Sequence, residues 1–580
     1  MKDIHTLVTR RGVLRAGVVG SVGLTAAALF GCRSANPGAD GARPGGSAGT
    51  TAAVVAPKTL YPHTIPLTTK QPKRGGSLVI AIANDLATLD NAKSGAIGNL
   101  GITNTVYDSL LRRKMTSKDT ELPGTSDPQK DLEGALAQSW EISPDGMTYV
   151  FKIRPGVKWQ NVAPVNGRPF VAEDVALSIK RYSTVGIWGP LYEAVAKVET
   201  PDAATVRVTL TKPSPDFIVP LAEQNQNIMP REISDNNSID KVAIGTGPFI
   251  LTEAVPGKGS KYVRNPDYWG KEGPYLDNYE YRLIPDLAAQ LAAFRAGQTG
   301  QATAANAREA DAIKASVADV QIQQTYFVKA SFMTAFNLKL PKWQDERVRR
   351  ALSLLLDRDE INETLYAGQS ATIPVFPWPF VMDHRPTGSE LGKWWRYDVA
   401  EAKKMLQAAG QENLKFDWPY YNPYQTSQNE VIIDQWKRAG IGVNPQSKDY
   451  VSFNSQLVGV SYPDTMQVWD PHGSQADNHF RDHLKTGLPT NVFNIVDPQL
   501  DTWADQQSVE LNPQKRREIH KKIWDHVLDK AYRIEHANNV TYTVRQPWLR
   551  GMLAGVGGEG FKGPFSYMNS QFIPHVWIDK

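Results

Sequence analysis

Apolar and polar positions change period several times along the chain, and each change marks an element. Leu78 to Ile82 is a nearly unbroken apolar run behind the turn glycines Gly75 and Gly76, the pattern of a buried parallel strand. Residues 136–159 set two β-rich arms around Ser143-Pro144-Asp145-Gly146, which predicts a hairpin. Val171, Val175 and Ile179 recur at four-residue steps behind Glu173 and Asp174, an amphipathic helix over 170–182. Val206, Val208 and Leu210 alternate, a half-buried strand that stops at Pro213. Helices are also predicted over 99–112, 286–296, 344–356, 399–409, 427–439 and 513–531. The last has Asn512 as N-cap, Pro513 at the first helical position, and Ile519, Ile523, Val527 and Ala531 on one stripe. Gly410 and Gly440 stand where a left-handed cap is wanted. Strands and helices alternate irregularly, without tandem repeats, so the fold class is α/β or α+β with mixed sheets.

Length adds that one core is not enough: 580 residues predict two to four domains. The hydrophobic share of 41% and charged share of 21% are those of a globular chain. Net charge is +4, and residues 1–32 supply +3 of it, which leaves +1 for the rest. No run of Lys and Arg exists to neutralise phosphates, so nucleic acid is excluded as a partner. Fifteen Trp and 21 Tyr exceed what a core demands and would furnish a site that stacks on its ligand.

The N-terminus reads as a targeting segment. A basic head with paired Arg10 and Arg11 precedes the uncharged stretch from Ala16 to Phe30, which is shorter than the roughly 20 residues of a membrane span. Thr9-Arg10-Arg11-Gly12-Val13-Leu14 resembles a twin-arginine export signal, with Val13 where Phe is usual; the alternative is an ordinary secretory signal that carries two arginines. Leu29-Phe30-Gly31-Cys32 resembles the lipobox of bacterial lipoproteins, in which the cysteine becomes the first mature residue and carries the lipid. Cys32 is the only cysteine of the chain. Residues 33–73 are rich in Gly, Ala, Ser, Pro and Thr without apolar period, a flexible tether between anchor and body. The expected location is outside the cytoplasmic membrane, lipid-anchored to its outer face.

Seven segments, in order, resemble the extracytoplasmic solute-binding proteins of peptide and nickel ABC transporters. They include "VYDSLL" (106–111), "LAQSWEISPDGMTYVFKIRPGVKW" with "NGRPFVAEDVALSIKR" (136–181), "IGTGPFIL" (244–251), "VRNPDYWG" (263–270) and "FNLKLPKWQDERVRRALSLLLDRDEI" (336–361). "YDVAEAKKMLQAAG" (397–410) and "VIIDQWKRAGIGV" (431–443) complete the set. The resemblance covers residues 75–580. It implies a two-lobed periplasmic-binding-protein type II fold, in the larger form with an extra third domain and a hinge between the lobes. The first lobe would be discontinuous, 74–107 with 223–330 and 535–580; the extra domain 108–222; the second lobe 331–534. It also implies a monomer that closes on a solute and passes it to a permease whose ATPase is another chain.

Within these segments, Gly245 and Gly247 are expected to take backbone angles other residues avoid. Pro248 offers no N–H to a phosphate, which rules out a nucleotide cradle. Tyr268 and Trp269 are expected in a core, and Asp345 and Arg347 as a cap and its ion pair.

The resemblance places the ligand between the lobes. Peptide binders of the family carry Gly-Trp and, three residues after the Trp, an Asp that pairs with the peptide ammonium. Here the stretch is "YPDTMQVWDPHGSQADNHF" (462–480): Val468 replaces the Gly, His472 stands three residues after Trp469, and the nearest acid is Asp470. The candidate ligand residues are therefore Trp469, Asp470 and His472. Trp378 in "PVFPWPF" and Tyr424 in "WPYYNPY" add aromatic faces that would suit an oligosaccharide as alternative solute. His479 and His483, spaced i,i+4, with His472 or Asp477, outline a weaker metal-complex alternative. No cofactor is expected. A secreted hydrolase is the remote alternative; no H-E-x-x-H, G-x-S-x-G or P-loop occurs, so the chain is read as a binder, not an enzyme.

Overall fold

A computed structural model of the protein describes residues 60–62, 69–551 and 573–580, except 87, 95–102, 115–126, 224–225, 236–237, 272, 327–329, 371–375, 385, 422–425, 459, 472–474 and 538–539. Arg10, Arg11 and Cys32 lie outside the described residues. No helix among the described residues is long and apolar enough to cross a membrane.

The apolar run at 78–82 forms β1 (Ser77–Ile82), whose fully buried Leu78 and Ile80 account for its lack of polar alternation. β1 pairs in parallel with β10 (Asn278–Leu283), and the sheet continues through β9 (Gly259–Arg264) to β8 (Phe249–Val255). The predicted hairpin is β4 (Ala137–Ile142) and β5 (Thr148–Ile153), its turn tied by the Met147 N–H donating to Asp145 at 3.0 Å. A second sheet runs β4-β5-β7-β6, with β6 (Val195–Asp202) and β7 (Thr205–Leu210). Two short ladders join β2 (Leu111–Arg113) to β3 (Leu132–Gly134) and β19 (Leu549–Arg550) to β20 (Trp577–Ile578).

The third sheet is β11-β18-β12, where β11 (Gln301–Ala304) and β12 (Gln321–Tyr326) both pair with the late strand β18 (Val540–Arg545). The fourth is β16-β13-β17, with β13 (Ala330–Phe336) central between β16 (Thr465–Pro471) and β17 (Arg533–Glu535). β14 (Lys415–Tyr421) and β15 (Gly442–Lys448) run parallel beside it, held where the Thr465 hydroxyl donates to the Asp417 carbonyl at 2.7 Å.

The helices of nine or more residues are α1 (Ala172–Thr184), α2 (Leu287–Arg295), α3 (Ala307–Ser316), α4 (Glu346–Leu354) and α5 (Arg358–Tyr366). They continue with α6 (Val399–Ala408), α7 (Thr426–Arg438), α8 (Tyr450–Val458), α9 (Pro498–Val509) and α10 (Pro513–Lys530). Asn512 caps α10 as its sequence predicts, accepting from the Lys515 N–H at 3.0 Å. Gly410 and Gly440 take positive φ of 64° and 96° after α6 and α7.

One expected helix is mostly absent. Of 99–112, the described residues are helical only at 103–106, and 111–113 is β2. The chain leaves the helix because Asp108 is claimed from outside, accepting from the Thr246 hydroxyl at 2.9 Å and the Trp269 indole at 2.8 Å. The tether also differs from expectation at its body end. The Leu60 and Tyr61 N–H groups donate to the Gln324 side chain, the Gln324 N–H donates to the Pro62 carbonyl, and the Tyr61 ring packs on Tyr542 with centroids 5.7 Å apart. Lys70 and Lys73 both pair with Asp579. The sequence hid this because the anchoring partners lie more than 240 residues away.

Three hydrophobic cores hold the body. The first joins β1, β8, β9 and β10 to the sheet β4-β5-β7-β6 and to α1, so residues 78–283 share one interior. The second spans α2, the third sheet, β16, α9 and α10. The third lies under α4 to α7 and β14.

Candidate functional site

Family motifs converge first on a knot in the first core. Gly245 and Gly247 do not have positive φ. They are glycines because the 106–107 backbone passes against them: a Cβ on Gly245 would lie 2.0 Å from the Val106 carbonyl oxygen, and one on Gly247 would lie 2.5 Å from it. That approach lets the Gly247 N–H donate to Val106 O at 2.8 Å. Buried Gln160 fills the remaining valences, donating through Nε2 to Phe249 O at 2.8 Å and accepting from the Gly245 N–H at 3.2 Å. Asp174, in the first turn of α1, takes the Trp159 indole at 3.1 Å and both Arg168 amino groups at 2.9 and 2.7 Å; Arg168 also grips Glu232. These motifs build the scaffold. Trp269, as expected, is a packing residue, with the Arg154 guanidinium 4.8 Å above its ring. Asp345 caps α4 through the Arg347 N–H at 2.9 Å and pairs with the Arg347 side chain.

The chain passes from the third sheet to the fourth at β12–β13 and returns at β17–β18. The strands that flank the two passages pair with one another, β12 with β18 and β13 with β17. The His536 N–H donates to Phe332 O at 2.9 Å between them. The passages join two sheets that share no strand pairing, though both face the second core, and this is where a hinge between lobes would fall.

β16 is the strand next to these passages. Trp469 and Asp470 stand at its C-terminal end, in register with Phe332 and Ser331 of β13. His472 and Tyr424 lie outside the described residues. Trp378 sits on a short turn, Trp378–Phe380, and is 2% exposed within the second core. It is an interior side chain in this arrangement and offers no open face for a sugar ring. Trp418 and Phe376, from the same proline-flanked aromatic stretches, are also fully buried.

Below that sheet lies a buried polar layer that sequence reasoning missed. Asn429 and Gln467 exchange amide hydrogen bonds at 3.2 and 2.6 Å, and Gln428 donates to Ala537 O at 2.9 Å. The Thr334 hydroxyl meets the His536 ring at 2.9 Å. Burial pushes the His536 imidazole down to about 3, so it is neutral. A polar residue every few positions in α7 was the available signal, but it does not separate a buried face from a wet one.

His479 is fully buried on the π-helical turn Asn478–Asp482, among Phe376 and Phe380, and its ring centroid is 6.5 Å from that of His483 at a right angle. Asp477 accepts from Gln507 and Ser508 at 2.6 and 2.7 Å. Burial first, and the neighbouring Asp216 second, push its carboxyl up. Among the described residues no group of three or more His, Cys, Asp or Glu side chains is placed to hold a metal ion.

Two mixed-sheet lobes joined by paired passages define a type II periplasmic-binding fold. The solved structure of the periplasmic binding protein DppA from Helicobacter pylori, in complex with peptide STSA, superposes with a TM-score of 0.71 at 21% identity, over 88% of this chain and 99% of that one. The chain belongs to the bacterial extracellular solute-binding proteins of family 5, whose middle-region model matches residues 131–487. It is similar to heme-binding protein A of Haemophilus influenzae, 25% identical over 75% of this chain and 83% of that protein. The dipeptide-binding protein of Escherichia coli is 24% identical over 60% of this chain and 69% of its own. This is a family of extracytoplasmic substrate-binding transport components, and the chain is a binding protein, not an enzyme.

Proposed function

We propose that this protein is the peptide-binding subunit of an ABC importer. It captures a peptide between its lobes by rotation about the two passages and presents the closed form to a membrane permease. The observation that carries this reading is the strand β16, which brings Trp469 and Asp470 beside the passages that would bend. Relatives named for dipeptide binding and a fold neighbour holding a peptide support the solute class. Asp470 takes the role of ammonium partner, because a desolvated carboxylate aimed at the N-terminus is the group that a free peptide needs. The proposal takes 108–222 as the extra domain, packed on the first lobe through the core it shares with β1, β8, β9 and β10.

A thermal-shift series tests this. Di- to tetrapeptides at about a hundred times their dissociation constant should stabilise the body by about 2.7 kcal/mol. Maltooligosaccharides, haem and Ni²⁺ serve as the other arms. Shifts with one of these and none with peptides would replace the solute, and no shift with any would overturn the binding reading.

Export and anchoring belong to the same proposal: Arg10 and Arg11 direct export, and a lipid on Cys32 holds the body at the membrane. Cys32→Ser should move the protein from the membrane pellet to the soluble fraction. A variant that stays with the membrane would refute the anchor.

A further inference from the structure

A second contact crosses the molecule away from the hinge, and it is ionic. Asp216, on the turn Pro215–Ile218, receives Arg516 Nη1 at 2.7 Å; their side chains are 7% and 0% exposed. Its other oxygen accepts the Asp477 N–H at 2.8 Å. Arg516, in the first turn of α10, also donates to the Gln507 carbonyl and side chain at 3.0 and 3.1 Å. Arg481 extends the contact to the rim, 3.3 Å from Asp477 and 3.0 Å from Glu193. Asp216 and Glu193 belong to the part that shares a core with β1, whereas Asp477, Arg481 and Arg516 belong to the part reached through the passages. Leu511 sits over the hairpin turn so closely that a Cβ on Gly146 would meet it at 2.5 Å. A small open recess of about 30 Å³, lined by Glu193, Lys212, Asp216, Asp477 and Arg481 among others, lies beside the pair.

A pair of opposite charges this deeply buried is favourable only while both partners stay in place. Rotation about the passages would separate them. Opening loses the pair and its hydrogen bonds but exposes little apolar surface, so the closed state is held by this specific contact. Asp477 lies six residues beyond Pro471, the end of the strand carrying Trp469 and Asp470, so the contact reports on that strand's position.

We propose that Asp216 and Arg516 form an interdomain latch that holds the closed form, with the Asp477 amide and the Arg481–Glu193 pair as its outer contacts. The proposal rests on the reading of the protein as a two-lobed binder that opens and closes, but not on the identity of the solute.

Spin labels on exposed Lys197 and Glu412, in full-length Cys32→Ser protein without solute, would measure the separation of the two parts. Asp216→Asn and Arg516→Gln should each raise the long-distance population about tenfold, the worth of one charged hydrogen bond. Lys212→Ala, at the rim, should leave the distribution unchanged. Identical distributions in parent and both latch variants would overturn the latch. Should Arg516→Gln not fold, the nearly isosteric Asp216→Asn still gives the answer. Hydrogen exchange of the unsubstituted chain gives another: the Asp477 amide should be protected well beyond exposed loop amides, and exchange at loop rates would also overturn the proposal. Neither measurement uses a solute, so a protein that binds no peptide would sink the functional reading and leave the latch standing.

Discussion

Gly245→Ala is expected to destabilise the first core by about 3 kcal/mol, the upper end of what forcing an extra carbon into filled space costs. The new Cβ would fall 2.0 Å from the Val106 carbonyl oxygen and 2.8 Å from the Tyr107 Cα, both backbone atoms that no rotamer change can move. Relief requires the 245–247 segment to lift away from residue 106. That breaks the Gly247 to Val106 hydrogen bond and leaves the buried Gln160 amide with fewer partners, a further loss. Gly156 and Gly257 are the controls. Both have φ of 78° and nothing within 4 Å of where an alanine methyl would sit, so alanine there should cost only the left-handed penalty of about 1–2 kcal/mol. Urea midpoints of the three variants rank the two effects. Equal losses at all three sites would show that the close approach of the Val106 backbone adds nothing to the cost at Gly245.

Acidification from pH 7.5 to 4.5 is expected to destabilise the fold through two histidines, His536 alone contributing about 2.7 kcal/mol and His520 acting in the same direction. His520 and His536 are both fully buried. Desolvation holds His520 well below its ordinary value, helped by the nearby Arg516, and holds His536 at about 3. Both are therefore neutral in the folded protein, whereas in the unfolded chain they take up a proton near pH 6.5. The unfolded state binds more protons below that point, so stability rises with pH and is lost as pH falls. The loss begins at about 6.5 and proceeds at about 1.4 kcal/mol per pH unit per histidine until the folded value is reached. Burial raises Glu535 and Asp477, which oppose the trend by taking protons more readily in the folded state. His536→Gln should flatten the dependence by one histidine's share between pH 6.5 and 4.5, whatever it does to absolute stability. A slope unchanged from the parent would show that His536 titrates normally in the fold.

Local pattern carried the elements well and their meeting points poorly. The hairpin at Ser143 to Gly146 and the helix after Asn512 were legible because their signals are contiguous: a turn flanked by β-rich arms, a cap followed by one apolar stripe. Gly245 and Gly247 were visible as special, but the reason was not. Their partner is residue 106, brought in by the fold. The same holds for Asp108, whose ties to Thr246 and Trp269 ended a helix that the local sequence favours, and for Leu60 to Pro62, whose composition says coil while Gln324 supplies the dock. For the candidate site, the motif around Trp469 located the strand, and the register with Ser331 and Phe332 came only with the fold. Asp216 and Arg516 gave no signal at all, because each belongs to an ordinary surface-type sequence and only their meeting is unusual.

The position of β18 bears on how the protein is made. β11 and β12 do not touch each other; both lean on a strand synthesised more than 210 residues later, 35 residues before the chain ends. While the ribosome works through the intervening part, their edges have no partner, and pairings this distant form slowly. The lobe that comes first in sequence is thus among the last to be completed. Nascent chains carry two open strand edges while more than 210 further residues are added, and so are ready clients for whatever shields unfinished chains.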